Sequence, residues 1–339
     1  MKKNFLLPLI LLIFLFSGCG STKDNSAQVE PNSTADAEQA KPNNVKDFKV
    51  DLKITMLNVG QGDSFLIQTK TQNILIDTSD TDERAKLVSE LDKAGVTTFD
   101  KIILTHPHAD HIGGMEKLLK DDKYTVKEVF DNGIASTSKL YQNYMKDIKA
   151  MNIPHKTLKA GETLDFGDNV KFEVLYPTKD LVKAVNDGKQ KTDPNNESVV
   201  GRLVYKDFTM MFTGDAELKV ESEIWADNDE KKLKSTILKA GHHGSHSSSS
   251  ENFVRVVKPE YVLISAGEPT DKRGGNTYGH PHVESLQTYL KEGIKSDHIL
   301  WTWKNGTVVI ATDGKNFSVT SEVKEDWVNK WIAEKKSKK

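Results

Sequence analysis

The chain has 339 residues, with 47 Lys and Arg against 49 Asp and Glu, so its formal net charge is −2. This balance gives no protein-wide basic field and therefore argues against bulk attraction to nucleic acid. A single Cys excludes an intramolecular disulfide and any metal or iron–sulfur site that needs several thiolates. The length allows one large domain or two ordinary ones.

Residues 1–18 have the features of a secretory signal peptide. Two lysines precede the apolar run Phe5–Phe16, whose 12 residues are fewer than the roughly 20 that a membrane-spanning helix needs. Small residues then lead into Cys19, an arrangement that resembles the lipobox of bacterial lipoproteins. The resemblance implies cleavage before Cys19, a lipid on its thiol and an extracytoplasmic, membrane-anchored protein. The alternative is an ordinary secretory signal followed by an unrelated Cys.

Residues 19–47 follow as a polar segment. Apart from Cys19 and alanines, only Val29 and Val45 are apolar, so little burial can offset the entropy of ordering this stretch. We therefore expect a flexible tether between the lipidated Cys and a folded domain.

From residue 48 onward the chain alternates between strand and helix patterns. Residues 50–58 alternate apolar and polar side chains as a half-buried strand does, and residues 82–94 have helical spacing that ends at Gly95. The remaining predicted strands are 64–69, 73–78, 101–106, 170–176, 198–205, 208–213, 236–239, 261–265, 299–303 and 307–311, and the remaining helices are 139–151, 216–226, 251–257 and 283–292.

This order of elements predicts an α/β protein whose sheets are covered by helices, rather than an all-parallel doubly wound fold. No Pro/Gly-rich gap divides residues 48–322, which we predict to form one domain.

A Lys-rich amphipathic segment, residues 323–339, ends the chain. Val323, Trp327, Trp331 and Ile332 share one face of a predicted helix that finishes in KKSKK. Packing of the two tryptophans onto the domain is the favoured interpretation, and contact with a membrane surface or a polyanion is the alternative.

Eight of the ten histidines fall in three short polar segments, THPHADHIGG, GHHGSHSS and YGHPH. The first, His106-x-His108-x-Asp110-His111, places two imidazoles on one side of an extended segment and two further ligand groups at the next turn. Such a pattern is typical of a site for two divalent ions. Asp215, which ends an apolar strand, is the candidate bridging carboxylate. The His242-His243 pair can supply another imidazole, and the alternative is a solvated His-rich loop.

These residues, taken in order, resemble a known family. The sequence His106-x-His108-x-Asp110-His111, followed by TGD at 213–215 and HHGS at 242–245, resembles the metallo-β-lactamase fold. The match is closest to the hydrolase domain of ComEC-type competence proteins and their standalone relatives, because NVGQGDS, LIDTS, NNES and NTYGHPH follow in the family order. The resemblance implies an αββα sandwich, two mixed β-sheets flanked by helices, with two divalent ions at the sheet edge. Zn²⁺ is the expected metal, and Mn²⁺ is the alternative.

The resemblance also implies a role for each matching residue. The expected metal ligands are His106 and His108 on one ion, Asp110 and His111 on the other, Asp215 between them, and His243. Which of His242 and His243 is the ligand stays open, with His242 favoured as the neighbour that faces the phosphate.

Four further residues are expected to support the ligands. Asp77 matches a buried Asp that orients the metal loop, and Asp63 is expected near the same edge, although a turn-forming role is open for both. Asn196 and Ser198 stand in DPNNESVV, where many superfamily members carry a third His for the first ion. Their presence predicts a weaker or more open first site.

The expected activity is that of a surface-anchored, dinuclear-metal phosphodiesterase with DNase-like action. Asp110, His242 and His280 are the expected catalytic residues, with His280 contacting the phosphate or protonating the leaving group. A turn-forming role is the alternative for His280. The alternative functions are hydrolysis of another extracellular phosphodiester, such as phosphorylcholine-bearing teichoic acid, and metal binding at the surface without catalysis. No obligate protein partner is evident in the sequence.

Overall fold

The computed structural model describes residues 48–272 and 275–337. The predicted signal peptide, the lipidation site at Cys19 and the tether up to residue 47 lie outside the described residues, as do the last two lysines of the tail. No helix in the described part of the chain is long and apolar enough to cross a membrane.

The strands are short and distributed along the whole described chain. They are β1 Leu52–Met56, β2 Phe65–Gln68, β3 Asn73–Ile76, β4 Thr98–Phe99, β5 Lys101–Ile103, β6 Thr125–Val126, β7 Val129–Asp131, β8 His155–Thr157, β9 Thr163–Asp165, β10 Lys171–Tyr176, β11 Val200–Tyr205, β12 Phe208–Phe212, β13 Ile237–Lys239, β14 Tyr261–Ile264, β15 Ile299–Trp301, β16 Val308–Thr312 and β17 Phe317–Ser321.

Helices separate most of the parallel strands. They are α1 Arg84–Ala94, α2 Ala109–Ile112, α3 Met115–Lys120, α4 Lys139–Ala150, α5 Lys179–Asn186, α6 Leu218–Asp227, α7 Glu230–Leu233, α8 Glu251–Val257, α9 Val283–Lys291, α10 Thr302–Asn305 and α11 Val328–Ser337.

Two large mixed sheets carry the fold. The first has the order β17-β16-β1-β2-β3-β5-β7-β8, with antiparallel pairs up to β3 and parallel pairs beyond it. The second has the order β15-β14-β13-β12-β11-β10-β9, parallel from β15 to β12 and antiparallel from there to β9. Short connections join most of the antiparallel neighbours, although β1 and β16 are far apart in sequence and α5 lies between β10 and β11. The parallel strands are joined by the longer helical crossovers that parallel pairing needs.

Three apolar clusters define the layers. One cluster lies between the two sheets and includes Ile54, Phe65, Phe172, Met210 and Phe212. A second joins the outer face of the second sheet to the helices α6, α8, α9 and α11, and a third joins the outer face of the first sheet to α1, α3 and α4. The predicted αββα sandwich of two mixed sheets flanked by helices is therefore confirmed.

Elements with a clear apolar period agree with the prediction, and the missed elements are short or half-exposed. The strands β8 and β9 have three residues each, with exposed or partly exposed side chains at most positions, so both are too short to give a clear apolar period. Helix α5 was not predicted from the sequence. At its start, the side chain of Thr178 accepts a hydrogen bond from the N–H of Leu181.

The C-terminal segment packs onto the second sheet. Trp327 and Trp331 are 1% and 8% exposed, and their rings lie beside that of Trp301 with centroids 5.0 and 5.2 Å away. Val323 is instead half-exposed, because helix α11 begins only at Val328. The favoured interpretation, packing of the two tryptophans, is confirmed.

Candidate metal centre

The predicted ligands come from loops that follow the strands β5, β12 and β13. His106 and His108 follow β5, and the short helix α2 carries Asp110 and His111. Asp215 follows β12, and the turn that holds His243 follows β13. Because β12 and β13 are parallel neighbours, their carboxyl ends lie side by side, and the loop after β5 reaches them from the other sheet.

Four of these residues form a compact group of possible ligands. One ligand atom from each lies within 4.8 Å of the others in the set Asp110, His111, Asp215 and His243. The Nε2 atom of His111 is 3.2 Å from Oδ2 of Asp215, and the Nε2 atom of His243 is 3.1 Å from Oδ2 of Asp110. Imidazole nitrogens and carboxylate oxygens in such proximity are the donor set that zinc and related ions use.

Asp215 occupies the centre of the site. Its Oδ2 atom lies within 3.9 Å of a ring nitrogen of four imidazoles, those of His106, His111, His242 and His243. His108 completes the predicted pair with His106, since its Nδ1 is 3.0 Å from His106 Nε2. A carboxylate surrounded by imidazoles fits the bridging role that is expected of Asp215.

The predicted orienting residue Asp77 contacts a ligand directly. Its Oδ2 atom is 2.8 Å from Nδ1 of His111, and Thr105 donates both its N–H and its hydroxyl to the same carboxyl group. A carboxylate that accepts Nδ1–H turns Nε2 toward the ion. The Nε2 atom of His111 is buried without a hydrogen-bond partner, which fits a nitrogen that coordinates a metal.

The pKa values of two of these histidines also favour a metal site. Burial opposes protonation of His111, but the neighbouring carboxylates of Asp215 and Asp77 outweigh it and raise its pKa well above the usual value. For His243 burial is again outweighed, here by the charges of Asp215 and Asp63, and the pKa is raised. The negative potential that favours protons at these nitrogens also favours divalent cations, so the residues present fit a metal.

Asp63 lies behind the ligand group rather than in it. Its Oδ1 atom is 3.4 Å from Nδ1 of His243, and its Oδ2 atom is 2.6 Å from the ammonium of Lys239. His243 Nδ1 also lies 2.7 Å from the carbonyl oxygen of Ser265, so Nε2 faces Asp110 and Asp215.

His242 and His243 differ in their surroundings. Both have left-handed backbone angles, with φ of 45° and 53°. His243 is 1% exposed, whereas the side chain of His242 is 23% exposed and borders the open cavity. His242 Nδ1 is 3.1 Å from the hydroxyl of Ser247. The geometry thus favours His243 as ligand and His242 as the residue that faces a substrate.

The segment DPNNESVV, which has no third His, contributes residues with two different sets of contacts. The hydroxyl of Ser198 lies 3.3 Å from Nδ1 of His106 and accepts the N–H of Asp215. Asn196 instead exchanges hydrogen bonds with Glu217, so it supports the loop after Asp215 rather than a ligand side chain. Its neighbour Asn195 is closer to the site, with Nδ2 3.5 Å from Nε2 of His242.

His280 is buried at the edge of the cavity. Its backbone is held by the side chain of Asn276, and its ring centroid is 5.2 Å from that of His242. Burial and the adjacent imidazoles lower the pKa of His280 to about 2, so its ring is neutral. The Nδ1 atom is buried and has no hydrogen-bond partner.

A cavity of about 920 Å³ opens beside the site. Asp110, Asp215, His242 and His280 line its inner part. Asp80, Asp193 and Asp271 line it as well, together with Tyr278, which is 74% exposed. Within residues 48–272 and 275–337, no lysine or arginine lines this cavity.

Residues 57–268 match the sequence model of the metallo-beta-lactamase superfamily. The chain belongs to the metallo-beta-lactamase superfamily. ComE operon protein 3 of Bacillus subtilis (strain 168) is 30% identical over 274 residues, covering 76% of this chain and 32% of that protein. Competence protein ComA of Neisseria gonorrhoeae is 30% identical over 245 residues, covering 71% of this chain and 30% of that protein. The predicted relationship to ComEC-type hydrolase domains is confirmed.

This superfamily member spans about a third of the length of those competence proteins. Among solved structures, Igni18, a metallo hydrolase from the archaeon Ignicoccus hospitalis, aligns with a TM-score of 0.46 and 14% identity. The alignment covers 76% of this chain and 98% of that one.

Two residues at the centre were not predicted from the sequence. Lys239 is a buried lysine in contact with Asp63, and Thr105 donates two hydrogen bonds to Asp77. The signal for Lys239 is present in the sequence, since a lysine ends the apolar strand TILK just before the HHGS turn. Thr105 gives no such signal, because a threonine before His106 is ordinary.

Proposed function

We propose that this superfamily hydrolase is a phosphodiesterase that uses two divalent ions, with DNase-like action. The observation that carries the proposal is Asp215, whose Oδ2 faces four imidazoles, while Oδ2 of Asp110 lies 3.1 Å from Nε2 of His243, the nitrogen that also faces Asp215. Zn²⁺ is the proposed metal. Two bound ions would supply a hydroxide nucleophile at neutral pH and stabilise the charge that develops on the phosphoryl oxygens.

The residues around the site have separate proposed roles in holding the ions and in binding the substrate. Asp110, His111, Asp215 and His243 would hold one ion, and His106 and His108 would hold the other together with Asp215. The carboxyl group of Asp77 fixes the tautomer and orientation of His111. His242 and His280 border the cavity, and we propose that their ring nitrogens bind the phosphoryl oxygens and orient the ester for attack.

Two observations favour a phosphodiester over a β-lactam. The ligand set contains both Asp110 and His111, the pair that resembles the nuclease and phosphodiesterase branches of the superfamily. No Cys lies in the described residues, so a thiolate ligand of the kind used by some β-lactamases is missing from the site.

A second candidate substrate follows from the charge of the cavity. The carboxylates of Asp80, Asp193 and Asp271 give its outer part a negative field that repels a polyanion and attracts a cation. The exposed ring of Tyr278 could contact a quaternary ammonium group through its π face. A phosphodiester with a choline group, as in phosphorylcholine-bearing teichoic acid, is therefore the alternative to DNA.

Localisation forms a separate part of the proposal. We propose that the chain is cleaved before Cys19 and carries a lipid there, which would anchor the hydrolase on the outer face of the cell membrane. The composition of residues 1–19 supports this. Intact mass of the membrane-extracted protein tests it, because a chain that starts at Cys19 without added acyl mass would refute lipidation.

The activity is tested on the purified protein loaded with Zn²⁺ or Mn²⁺. Bis(p-nitrophenyl) phosphate, linear DNA and a choline phosphodiester are assayed in parallel, with Asp110→Ala as the inactive variant. We expect hydrolysis that falls at least about 100-fold in this variant. Metal bound at two equivalents without turnover of any of the three substrates would support a non-catalytic metal-binding surface protein instead. DNA cleavage that survives Asp110→Ala would indicate a contaminating nuclease.

A further inference from the structure

Lys239 is a lysine inside the protein at the last position of β13. The residue is 1% exposed, and its ammonium uses all three of its donors. It donates to the carbonyl oxygens of Gly214 and Ala240 at 2.7 and 2.9 Å, and its third partner is Oδ2 of Asp63 at 2.6 Å. Burying an ammonium costs free energy unless it is paired in this way, so the presence of a lysine here calls for an explanation.

The ammonium lies behind the metal ligands, away from the cavity. Lys239 is 3.7 Å from Oδ1 of Asp215, the oxygen opposite to the one that faces the imidazoles. Its partner Asp63 contacts His243 Nδ1 at 3.4 Å and His111 Nδ1 at 3.9 Å. Lys239 does not line the cavity, so it has no access to a substrate and can act only through these carboxylates.

Charge explains why a cation is needed at this place. Four carboxyl groups converge on the site, those of Asp63, Asp77, Asp110 and Asp215. In the part of the chain that the structure describes, Lys239 is the one lysine or arginine within 4.0 Å of any of them. Without metal these groups repel one another, and with metal bound the ions compensate them. The lysine charge is present in both states.

We propose that Lys239 is a positioning residue that acts as an internal counter-ion. It holds Asp63 and the outer oxygen of Asp215 in place before metal binds, and in return its charge weakens the binding of divalent ions. This inference rests on the metal centre of the proposed function but not on its phosphodiesterase activity.

The first test is Lys239→Met, which keeps an unbranched side chain and removes the charge. In the metal-free protein Asp63 would then be buried without its cation, so we expect the melting temperature to fall by about 10 °C. With metal bound, the ions compensate Asp63, and the fall should be less than half as large. Competition with a chromophoric chelator should give a dissociation constant for Zn²⁺ about tenfold lower than in the unmodified protein.

Asp63→Asn should change the affinity for Zn²⁺ in the opposite direction. This test does not depend on whether the Lys239→Met variant folds. The substitution leaves Lys239 without its main partner and makes the site one charge more positive, so Zn²⁺ should bind about tenfold more weakly. The double variant Asp63→Asn/Lys239→Met removes both charges. It should recover most of the metal-free melting temperature that Lys239→Met loses, because no unpaired charge remains.

Leu238→Ala is the matched control, since Leu238 is buried on the same strand but belongs to the apolar cluster of the outer face. It should lower the melting temperature equally with and without metal. An equal fall in Lys239→Met would mean that the lysine is merely structural, and weaker Zn²⁺ binding in that variant, or tighter binding in Asp63→Asn, would overturn the proposal. None of these measurements uses a substrate, so a protein that binds metal but hydrolyses nothing would disprove the proposed function alone.

Discussion

At the scale of single residues, the site depends on close packing between its loops. The turn that begins with Gly60 passes directly against the metal-binding loop, where the N–H of Asp63 donates to the carbonyl oxygen of Asp110. Gly62 has φ of +115°, and a Cβ there would lie 2.3 Å from that carbonyl oxygen. The glycine therefore lets the GQGD turn and the predicted ligand Asp110 approach each other.

We predict that Gly62→Ala displaces Asp110 and weakens metal binding at least about tenfold, while the free energy of unfolding falls by roughly 2–3 kcal/mol. The control is Gly95→Ala at the end of α1. Gly95 has a similar left-handed φ of +68° but no atom within 4 Å of a built Cβ, so it should cost about 1 kcal/mol and leave metal binding unchanged. Metal titration and urea unfolding measure both effects. Unaltered metal affinity in Gly62→Ala would contradict the role given to this contact.

A second residue-scale effect concerns pH. The hydrogen bond between His155 Nε2 and the buried carboxyl group of Asp131, 2.9 Å long, raises the pKa of His155 above its usual value. A raised pKa in the folded state adds stability that is fully present below the unfolded pKa, near 6.5, and is lost as the pH rises through the folded-state pKa.

We therefore predict that His155→Gln destabilises the protein by about 1 kcal/mol near pH 5.5 and by much less near pH 8.5. The difference in free energy of unfolding between the two proteins, measured in urea across this range, tests the sign. His298→Gln is the control, because the ring of His298 contacts the carbonyl oxygen of Glu260 instead of a carboxylate. A difference that grows with pH would show that the assignment is wrong.

At the scale of elements, the last helix supports the loop that carries His280. The indole N–H of Trp331 in α11 donates to the carbonyl oxygen of Pro281 at 3.3 Å. The rings of Trp301 and Trp303 pack against Trp331, with centroids 5.2 and 5.9 Å away. The C-terminal segment thus contributes to the position of one wall of the cavity, although it supplies no predicted ligand.

We predict that Trp331→Ala lowers the free energy of unfolding by about 3–5 kcal/mol, because a large buried ring is lost. Trp331→Phe keeps most of the packing and loses the hydrogen bond, so it should cost about 1 kcal/mol. If the helix positions His280, the Ala variant should also show a higher KM for bis(p-nitrophenyl) phosphate at full metal loading. A KM equal to that of the unmodified protein would restrict α11 to a stabilising role.

At the scale of the whole molecule, electrostatics are local. The chain is close to neutral overall, with a formal net charge of −2, while carboxylates dominate the cavity. Within this cavity, a polyanionic substrate would therefore be attracted where bound ions reverse the sign of the field. The metals would then serve binding as well as catalysis.

We predict that protein stripped of metal with a chelator no longer retains DNA at about 0.15 M salt, and that adding Zn²⁺ restores retention. The melting temperature should rise on loading, with roughly 2.7 kcal/mol of added stability at a free metal concentration 100 times the dissociation constant. Fluorescence anisotropy of a labelled oligonucleotide and thermal unfolding measure the two effects. Equal DNA affinity with and without metal would place the nucleic-acid contact elsewhere on the surface.

The amino-acid sequence alone predicts the elements with a strong period and the segments that carry the ligands. Apolar alternation marks strands with one buried face, such as β10, β11 and β16, because a buried face imposes a period of two on a strand. Continuous apolar runs mark strands that are buried on both faces, such as β12. The spacing His106-x-His108-x-Asp110-His111 is informative because residues within six positions of one another in a loop must lie close together in space. For the same reason the likeness to ComEC-type hydrolase domains is recognisable from the order and spacing of these residues.

Which distant groups meet depends instead on the order of the strands in the two sheets. Asp215 is 104 residues from His111 along the chain and 3.2 Å from it in space, a proximity that follows from sheet order rather than local sequence. The distinction between His242 and His243 depends on their contacts in the folded chain, because Nδ1 of His243 lies 2.7 Å from the carbonyl oxygen of Ser265 whereas Nδ1 of His242 lies 3.1 Å from the hydroxyl of Ser247. Lys239 is likewise explained only by the tertiary structure, which brings Asp63 of the other sheet into contact with it. The favourable energy of this ion pair depends on the distance between two residues that are far apart in the sequence.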